Sequence, residues 1–168
     1  MRIVCSKERL HLNLVRLRCG KNTFEIDVYP DKAIDYKNGE TVDIREVLKA
    51  ENIFTDAKKG NLAKKDDLKA VFGTTDPLEV AKRIILTGEI QLAGEYRAKL
   101  REEKRKQILY LISSTVIDAR TNAPVPLTRL ESAFEEARIK IDEIKPAKLQ
   151  VERIIQSIMR IIPLKTKR

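Results

Sequence analysis

Residues 12–29 read LNLVRLRCGKNTFEIDVY, two stretches of alternating apolar and polar residues joined by a short link at residues 19–22. In the second stretch Phe24, Ile26 and Val28 fall on one face. A period of two is typical of half-buried strands, and a short link that contains glycine favours a hairpin. The sequence therefore predicts an antiparallel β-hairpin near the start of the fold.

Short strands and helices follow this hairpin up to residue 92. We expect extended segments at 33–36, 53–55 and 89–92, and helices at 43–48, 64–72 and 77–86. Asp76-Pro77 is a typical helix start, because the aspartate caps free amides and proline suits the first helical position. Gly73 and Gly88 are typical helix ends. Interleaved strands and helices indicate an α+β domain, which we assign to residues 1–88.

Beyond residue 94 the apolar residues recur every three or four positions, which is the period of a helix. We predict one long helix from Glu95 to about Ala119, a second after the loop 121–126, and a third from Pro146. Short links between amphipathic helices are typical of a bundle. The predicted fold class is thus α+β, a mixed α/β domain with an antiparallel sheet followed by a three-helix bundle over 89–162. Residues 163–168 are interpreted as a basic tail or the start of a missing domain.

A hinge is expected where the two predicted domains meet. Gly88 and Gly94 bracket a short strand-like piece, and glycine adopts backbone angles that other residues avoid. We therefore expect the α+β domain and the bundle to adopt more than one relative orientation.

Composition and charge exclude several classes of function. The 168 residues carry 34 Lys and Arg against 25 Asp and Glu, a formal net charge of +9. No apolar run approaches the roughly 20 residues of a membrane span, and charge appears before any signal-peptide core can form. We expect a cytoplasmic monomer with no membrane partner.

Catalytic and metal chemistry find no support in the residues. Cys5, Cys19 and His11 are the only cysteines and the only histidine, too few for a zinc site at normal spacing. Reduced thiols are expected, with a Cys5–Cys19 disulfide as the alternative. Neither a P-loop nor a G-x-G-x-x-G sequence occurs, and one histidine provides no triad. We predict a protein that is not an enzyme and has no catalytic residue, metal or cofactor.

One lysine-rich stretch stands out as a candidate phosphate-binding site. Lysines flank Gly60 and the predicted start of a helix, at Lys58, Lys59, Lys64, Lys65 and Lys69. Cations at a helix N-terminus oppose the helix dipole, so their presence there favours a phosphate-binding interpretation. The alternative is a solvated loop whose charge Asp66 and Asp67 compensate.

A second basic run opens the long helix. It has six cations and two anions, and its cations are Arg97, Lys99, Arg101, Lys104, Arg105 and Lys106. The excess of positive charge indicates a weaker nucleic-acid contact, to phosphates rather than bases, because no aromatic platform accompanies it in the run. A solvated helix with ion pairs between successive turns is the alternative.

The central phrase identifies a family. Residues 53–68 read IFTDAKKGNLAKKDDL, residues 70–74 read AVFGT, and residues 85–91 read ILTGEIQ. These resemble the Shwachman–Bodian–Diamond syndrome protein family, whose members carry an aromatic residue, "KG", "AKKEDL", "AFGT" and "ILTKGEVQ". The resemblance extends over essentially the whole chain. One departure is Asn122-Ala123-Pro124, where eukaryotic members often have Lys-Arg-Pro.

The resemblance implies a ribosome maturation factor rather than an enzyme. Family members have an N-terminal α+β domain, a three-helix bundle and a C-terminal ferredoxin-like domain, and this chain resembles an archaeal-type member lacking or truncated before the third. The implied partners are the large ribosomal subunit with its rRNA and an elongation-factor-like GTPase that helps release an anti-association factor. Without the third domain we expect RNA binding but no GTPase-coupled release. A general RNA-binding adaptor linked to RNA processing or the exosome, and a protein-interaction scaffold, are the alternatives.

Overall fold

A computed structural model describes residues 13–167, and the chain divides into two units between Ala93 and Gly94. The strands of the described residues are β1 (Leu14–Cys19), β2 (Asn22–Asp27), β3 (Phe54–Asp56), β4 (Asn61–Leu62), β5 (Glu89–Gln91), β6 (Val116–Asp118) and β7 (Leu164–Thr166). The helices are α1 (Pro30–Lys37), α2 (Ile44–Val47), α3 (Lys65–Phe72), α4 (Pro77–Thr87), α5 (Gly94–Thr115), α6 (Leu127–Glu136) and α7 (Ala147–Ile158). The α+β fold class is confirmed.

The first unit is built on an antiparallel sheet with the strand order β4-β3-β2-β1-β5. The predicted hairpin is confirmed as β1 and β2, which pair from Leu14–Asp27 to Cys19–Asn22. Gly20 has a φ of +59° in the link, a left-handed conformation that favours glycine. The hairpin forms the centre of the sheet, where Phe24 and Ile26 are fully buried.

Helices α3 and α4 supply the apolar residues that cover this sheet. Phe72 at the end of α3 meets Phe24 edge to face, with ring centroids 5.1 Å apart. In α4, Ile84 and Ile85 are fully buried. The predicted start of α4 is confirmed, because an Asp76 side-chain oxygen accepts the Leu78 N–H at 3.1 Å.

The expectation of an extended segment at 33–36 is wrong, since these residues belong to α1. Pro30 opens this helix at its first turn, where its fixed φ is already helical. Ala33 and Ile34 are both buried. Adjacent residues can face the same core in a helix, where they are about 100° apart, whereas in a strand they point to opposite faces. A four-residue alternation is too short to distinguish the two periods.

The domain boundary predicted at residue 88 lies too early. Strand β5 pairs with β1 through Leu14–Gln91, Val15–Ile90 and Arg16–Glu89, so it completes the sheet of the first unit. Gly88 therefore lies inside that unit and is not a hinge between domains. Its backbone is closely packed: a Cβ there would lie 2.5 Å from the Ile84 carbonyl oxygen and 2.7 Å from that of Arg16.

The second unit is the predicted bundle of three helices. Contacts join each pair of α5, α6 and α7, and the core contains Ile112, Leu130 and Ile158, all fully buried. Apolar stripes at helical spacing account for these contacts. The bundle also carries a small sheet that the sequence did not predict.

The long helix ends four residues before its predicted end. Hydroxyls of Ser114 and Thr115 donate to the Leu111 carbonyl at 2.8 and 2.7 Å, and such bonds compete with continuation of a helix. The β-branched residues that follow favour a strand. Strand β6 pairs with β7, so residues 164–166, interpreted above as part of a tail or the start of a missing domain, belong to the second unit.

Asp118 at the end of β6 holds the loop that leads toward α6. Its side chain accepts the N–H groups of Arg120 at 2.8 Å and Thr121 at 3.2 Å, and it pairs with the Arg129 guanidinium at 2.7 Å. These backbone hydrogen bonds first, and then Arg129, lower the pKa of Asp118. The residue is 5% exposed, so its carboxylate has little contact with water and its charged form is stabilised by these partners.

We expect this carboxylate to make the second unit sensitive to acid. Because its pKa is lowered on folding, its stabilisation is present above the ordinary aspartate pKa of about 3.9 and is lost as pH falls through the folded value. Urea unfolding measured from pH 6 to pH 3 should show wild type losing more free energy of unfolding than Asp118→Asn. Parallel curves for the two proteins would contradict the prediction.

Three further observations concern the cysteines and the histidine, membrane-spanning helices, and metal-binding side chains. Cys19 is a free, half-buried thiol at the end of β1, whereas Cys5 and His11 lie outside the described residues. No helix within residues 13–167 has the length and hydropathy to cross a membrane. The same residues contain no group of three or more metal-binding side chains.

Candidate nucleic-acid interface

The first candidate lysines lie on the turn between β3 and β4. Lys58 and Lys59 are exposed there, next to Gly60, whose φ is +71°. The Asp56 side chain closes the turn by accepting the Lys59 N–H at 3.1 Å. Both lysine side chains therefore project from a short, ordered turn at the edge of the sheet.

The buried carboxylate of Glu25 holds this turn through a hydrogen bond, a role that the sequence pattern did not indicate. This residue is only 5% exposed. One carboxylate oxygen accepts from the Arg16 Nε at 2.6 Å, directly across the β1–β2 pair, and the other accepts the Ala57 N–H at 2.8 Å. A charged residue that is buried and fully paired fixes local geometry strongly. It sets where the adjacent Lys58 and Lys59 emerge.

The other two candidate lysines begin α3. Lys64 is the N-cap residue and Lys65 the first residue of the helix, and both are exposed. Lys64 provides no side-chain cap, so amides of the first turn remain available for an anion. Asp66 and Asp67 also lie in this turn and offset part of the unfavourable interaction between the lysines and the helix dipole.

These positions follow one another closely along the first unit, from the β3–β4 turn to the second turn of α3. Strand β4 has only two residues, about 7 Å of extended chain, between the turn and the approach to α3. Lys69 lies one helical turn after Lys65 and is also exposed. We call Lys58, Lys59, Lys64, Lys65 and Lys69 the lysine surface. Among the described residues, Lys59 pairs with Asp56 at 3.8 Å, and no ion pair joins the other four to a carboxylate.

The second basic run does not form one surface. At about 100° per residue, Arg97, Arg101, Lys104 and Arg105 occupy one side of α5 and Lys99 and Lys106 the opposite side. The first group continues the buried stripe that contains Ile108 and Ile112. The run therefore divides into two sets with different surroundings.

Two arginines of the first set have partners inside the bundle. Arg101 donates to Glu143 through Nε at 2.9 Å and through a second guanidinium nitrogen. Arg105 pairs with Glu135 at 3.2 Å and lies over the Phe134 ring, 5.7 Å from its centroid. Both line a groove of about 650 Å³. These contacts stabilise the bundle and leave less charge for a ligand, which sequence spacing could not show.

Comparison with known proteins gives matches over nearly the whole chain. Residues 12–98 match the Shwachman-Bodian-Diamond syndrome (SBDS) N-terminal domain, and residues 106–167 match SBDS protein, domain II. The ribosome maturation protein SDO1 homolog of Aeropyrum pernix is 40% identical over 145 residues, which are 86% of this chain and 62% of that protein.

Further relatives come from a second archaeon and from yeast. The SDO1 homolog of Methanothermobacter thermautotrophicus is 36% identical, covering 90% of this chain and 66% of the relative. The ribosome maturation protein SDO1 of Saccharomyces cerevisiae is 33% identical, covering 92% and 62%. The chain thus spans roughly three fifths of the length of these relatives. With both family domains matched in order over most of its residues, the chain belongs to the Shwachman–Bodian–Diamond syndrome (SBDS) family.

Proposed function

We propose that this chain acts in ribosome maturation by binding the rRNA of the large ribosomal subunit, with the lysine surface as its principal contact. The observation that carries the proposal is the grouping of five exposed lysines around a short hairpin and an uncapped helix N-terminus. Ammonium groups and free amides are the donors that bind phosphate oxygens without regard to base sequence. The names of the relatives support a role in ribosome maturation.

The rest of the proposal follows the family resemblance. The chain would assist the release of an anti-association factor from the large subunit, together with an elongation-factor-like GTPase, as a cytoplasmic monomer. We assign RNA binding to the two units present here. Release coupled to the GTPase is expected to need the ferredoxin-like domain implied by the resemblance.

Co-sedimentation with purified ribosomal subunits tests the proposal. The wild-type chain should pellet with large subunits and much less with small subunits, and added salt should release it steeply. Equal binding to both subunits and to unrelated RNA would favour a general RNA-binding adaptor. Binding to large subunits that is insensitive to salt, with no affinity for naked rRNA, would favour a protein-interaction scaffold.

A further inference from the structure

Tyr110 is an aromatic residue on the solvent side of α5. Its side chain is 71% exposed, although tyrosine usually buries its ring, and Ile108, Leu109 and Ile112 around it in sequence are buried in the bundle core. The ring is therefore not needed to close the bundle. It presents an apolar face to solvent within a positively charged chain.

The second basic run supplies cations on the same side of this helix. Lys99, Lys106 and Tyr110 lie within about 40° of one another around α5, because seven residues make nearly two turns and four residues slightly more than one. Both lysines are exposed. Of the two glutamates between them in the sequence, Glu103 lies on this side of the helix, whereas Glu102 lines the groove with Arg101 and Arg105. The basic run itself contains no aromatic platform apart from Tyr96 just before it, but the helix geometry places the Tyr110 ring on the same side as Lys99 and Lys106, one turn beyond the run.

A third cation reaches the same helix from the end of the chain. The Lys167 N–H donates to the Thr115 carbonyl at 2.8 Å, and its ammonium group donates to the Ser113 carbonyl at 3.4 Å. Strand β7, which pairs with β6, holds Lys167 in this position. Ser113 lies about one turn beyond Tyr110, so lysines stand on both sides of the aromatic ring along the helix.

We propose that Lys99, Lys106, Tyr110 and Lys167, here named the α5 strip, bind single-stranded RNA by stacking one unpaired base on the Tyr110 ring. An exposed ring flanked by ammonium groups is the arrangement by which proteins hold single strands, since every base has a stacking face and every linkage a phosphate. The inference rests on the proposed RNA-binding function and deepens it. It assigns a contact to an unpaired nucleotide in addition to the phosphate contacts of the lysine surface.

Oligouridine of about ten nucleotides is the probe that tests the α5 strip, because it has the length of a typical single-strand site. In the full 168-residue chain, Tyr110→Ala should weaken its binding about tenfold, the loss expected for one stacked base. Tyr110→Phe keeps the ring and should stay within about twofold of wild type. Neither change should alter affinity for a blunt RNA duplex, in which every base is already stacked.

Intrinsic fluorescence gives a second and local measurement. The chain has four tyrosines and no tryptophan, so a base stacked on Tyr110 should quench part of a small signal. This quenching should vanish in Tyr110→Ala and persist when the lysine surface is reversed in charge. Unchanged affinity and unchanged quenching in Tyr110→Ala would overturn the inference while leaving the proposed function intact.

Two other outcomes are equally decisive. If Tyr110→Ala bound oligouridine normally but pelleted less with large subunits, the α5 strip would contact a ribosomal protein instead of RNA. That result would overturn the inference. Wild type that binds neither oligouridine nor rRNA would overturn both the inference and the proposed function. Thermal unfolding of each variant serves as the control for folding, and exposure of Tyr110 predicts no change.

Discussion

Reversing the charge of Lys58, Lys59, Lys64 and Lys65 to glutamate should abolish rRNA binding at moderate salt while leaving the fold intact. Each lost phosphate contact lowers the salt slope of binding by about one, so the slope should fall by roughly four. Stability should stay unchanged or rise, because glutamates at positions 64 and 65 interact favourably with the N-terminus of α3. Filter binding across a salt series, with thermal unfolding in parallel, measures both effects.

A control with the same change in total charge separates a local site from general attraction. Lys21, Lys140, Lys148 and Arg160 are exposed and lie outside both the lysine surface and the α5 strip. Reversing these four to glutamate removes as much from the chain's net charge of +9. This control variant should retain most of the wild-type affinity for rRNA. Equal loss in the two variants, or unchanged affinity in the first, would contradict a specific lysine surface.

Gly88→Ala should be the single substitution with the largest cost in stability among the glycines of the chain. Its Cβ would lie 2.5 Å from the Ile84 carbonyl oxygen and 2.7 Å from that of Arg16, both backbone atoms that cannot rotate away. The Gly88 N–H also donates to Ile84 at 2.7 Å. Forcing α4 away from β1 is an overpacking change, which costs about 1–3 kcal/mol of unfolding free energy. Urea unfolding of the variant provides the measurement.

Gly94→Ala is the matched control for this substitution. A Cβ at Gly94 meets no atom within 4 Å, and the residue begins α5, where alanine is a better helix former than glycine. Its stability should equal or slightly exceed that of wild type. If both variants unfolded at the same urea concentration, close packing at Gly88 would not be the reason for glycine there.

Local sequence patterns predicted an element correctly where a single hydrophobic period or a single helix cap determines it. Alternation at Phe24 and Ile26 predicted the central hairpin, and Asp76-Pro77 predicted the start of α4. The three apolar stripes predicted the helices of the bundle. The lysines of the candidate surface were also found in this way, because charge near a glycine turn and a helix start is visible without coordinates.

Elements that depend on pairing with a distant segment could not be predicted from local patterns. Strand β7 is three residues long and acquires its structure from β6, so its residues resembled a tail or the start of another domain. Gly88 resembled a hinge because its neighbour Arg16 is 72 positions earlier in the chain. A short strand or a close backbone approach is stabilised by its partner rather than by its own residues.

The sequence by itself determined the family, the two-unit organisation in outline and the positions of the basic residues. Only the tertiary structure decided which of these charges remain available, because ion pairs form between residues far apart in the chain. In the folded chain Arg101 pairs with Glu143 and Arg105 with Glu135, whereas Lys167 lies alongside the helix that carries Tyr110. The number of charged residues follows from composition alone. Which of them stay available to a ligand, and which lie near the exposed Tyr110 ring, depends on the distant residues that the fold brings together.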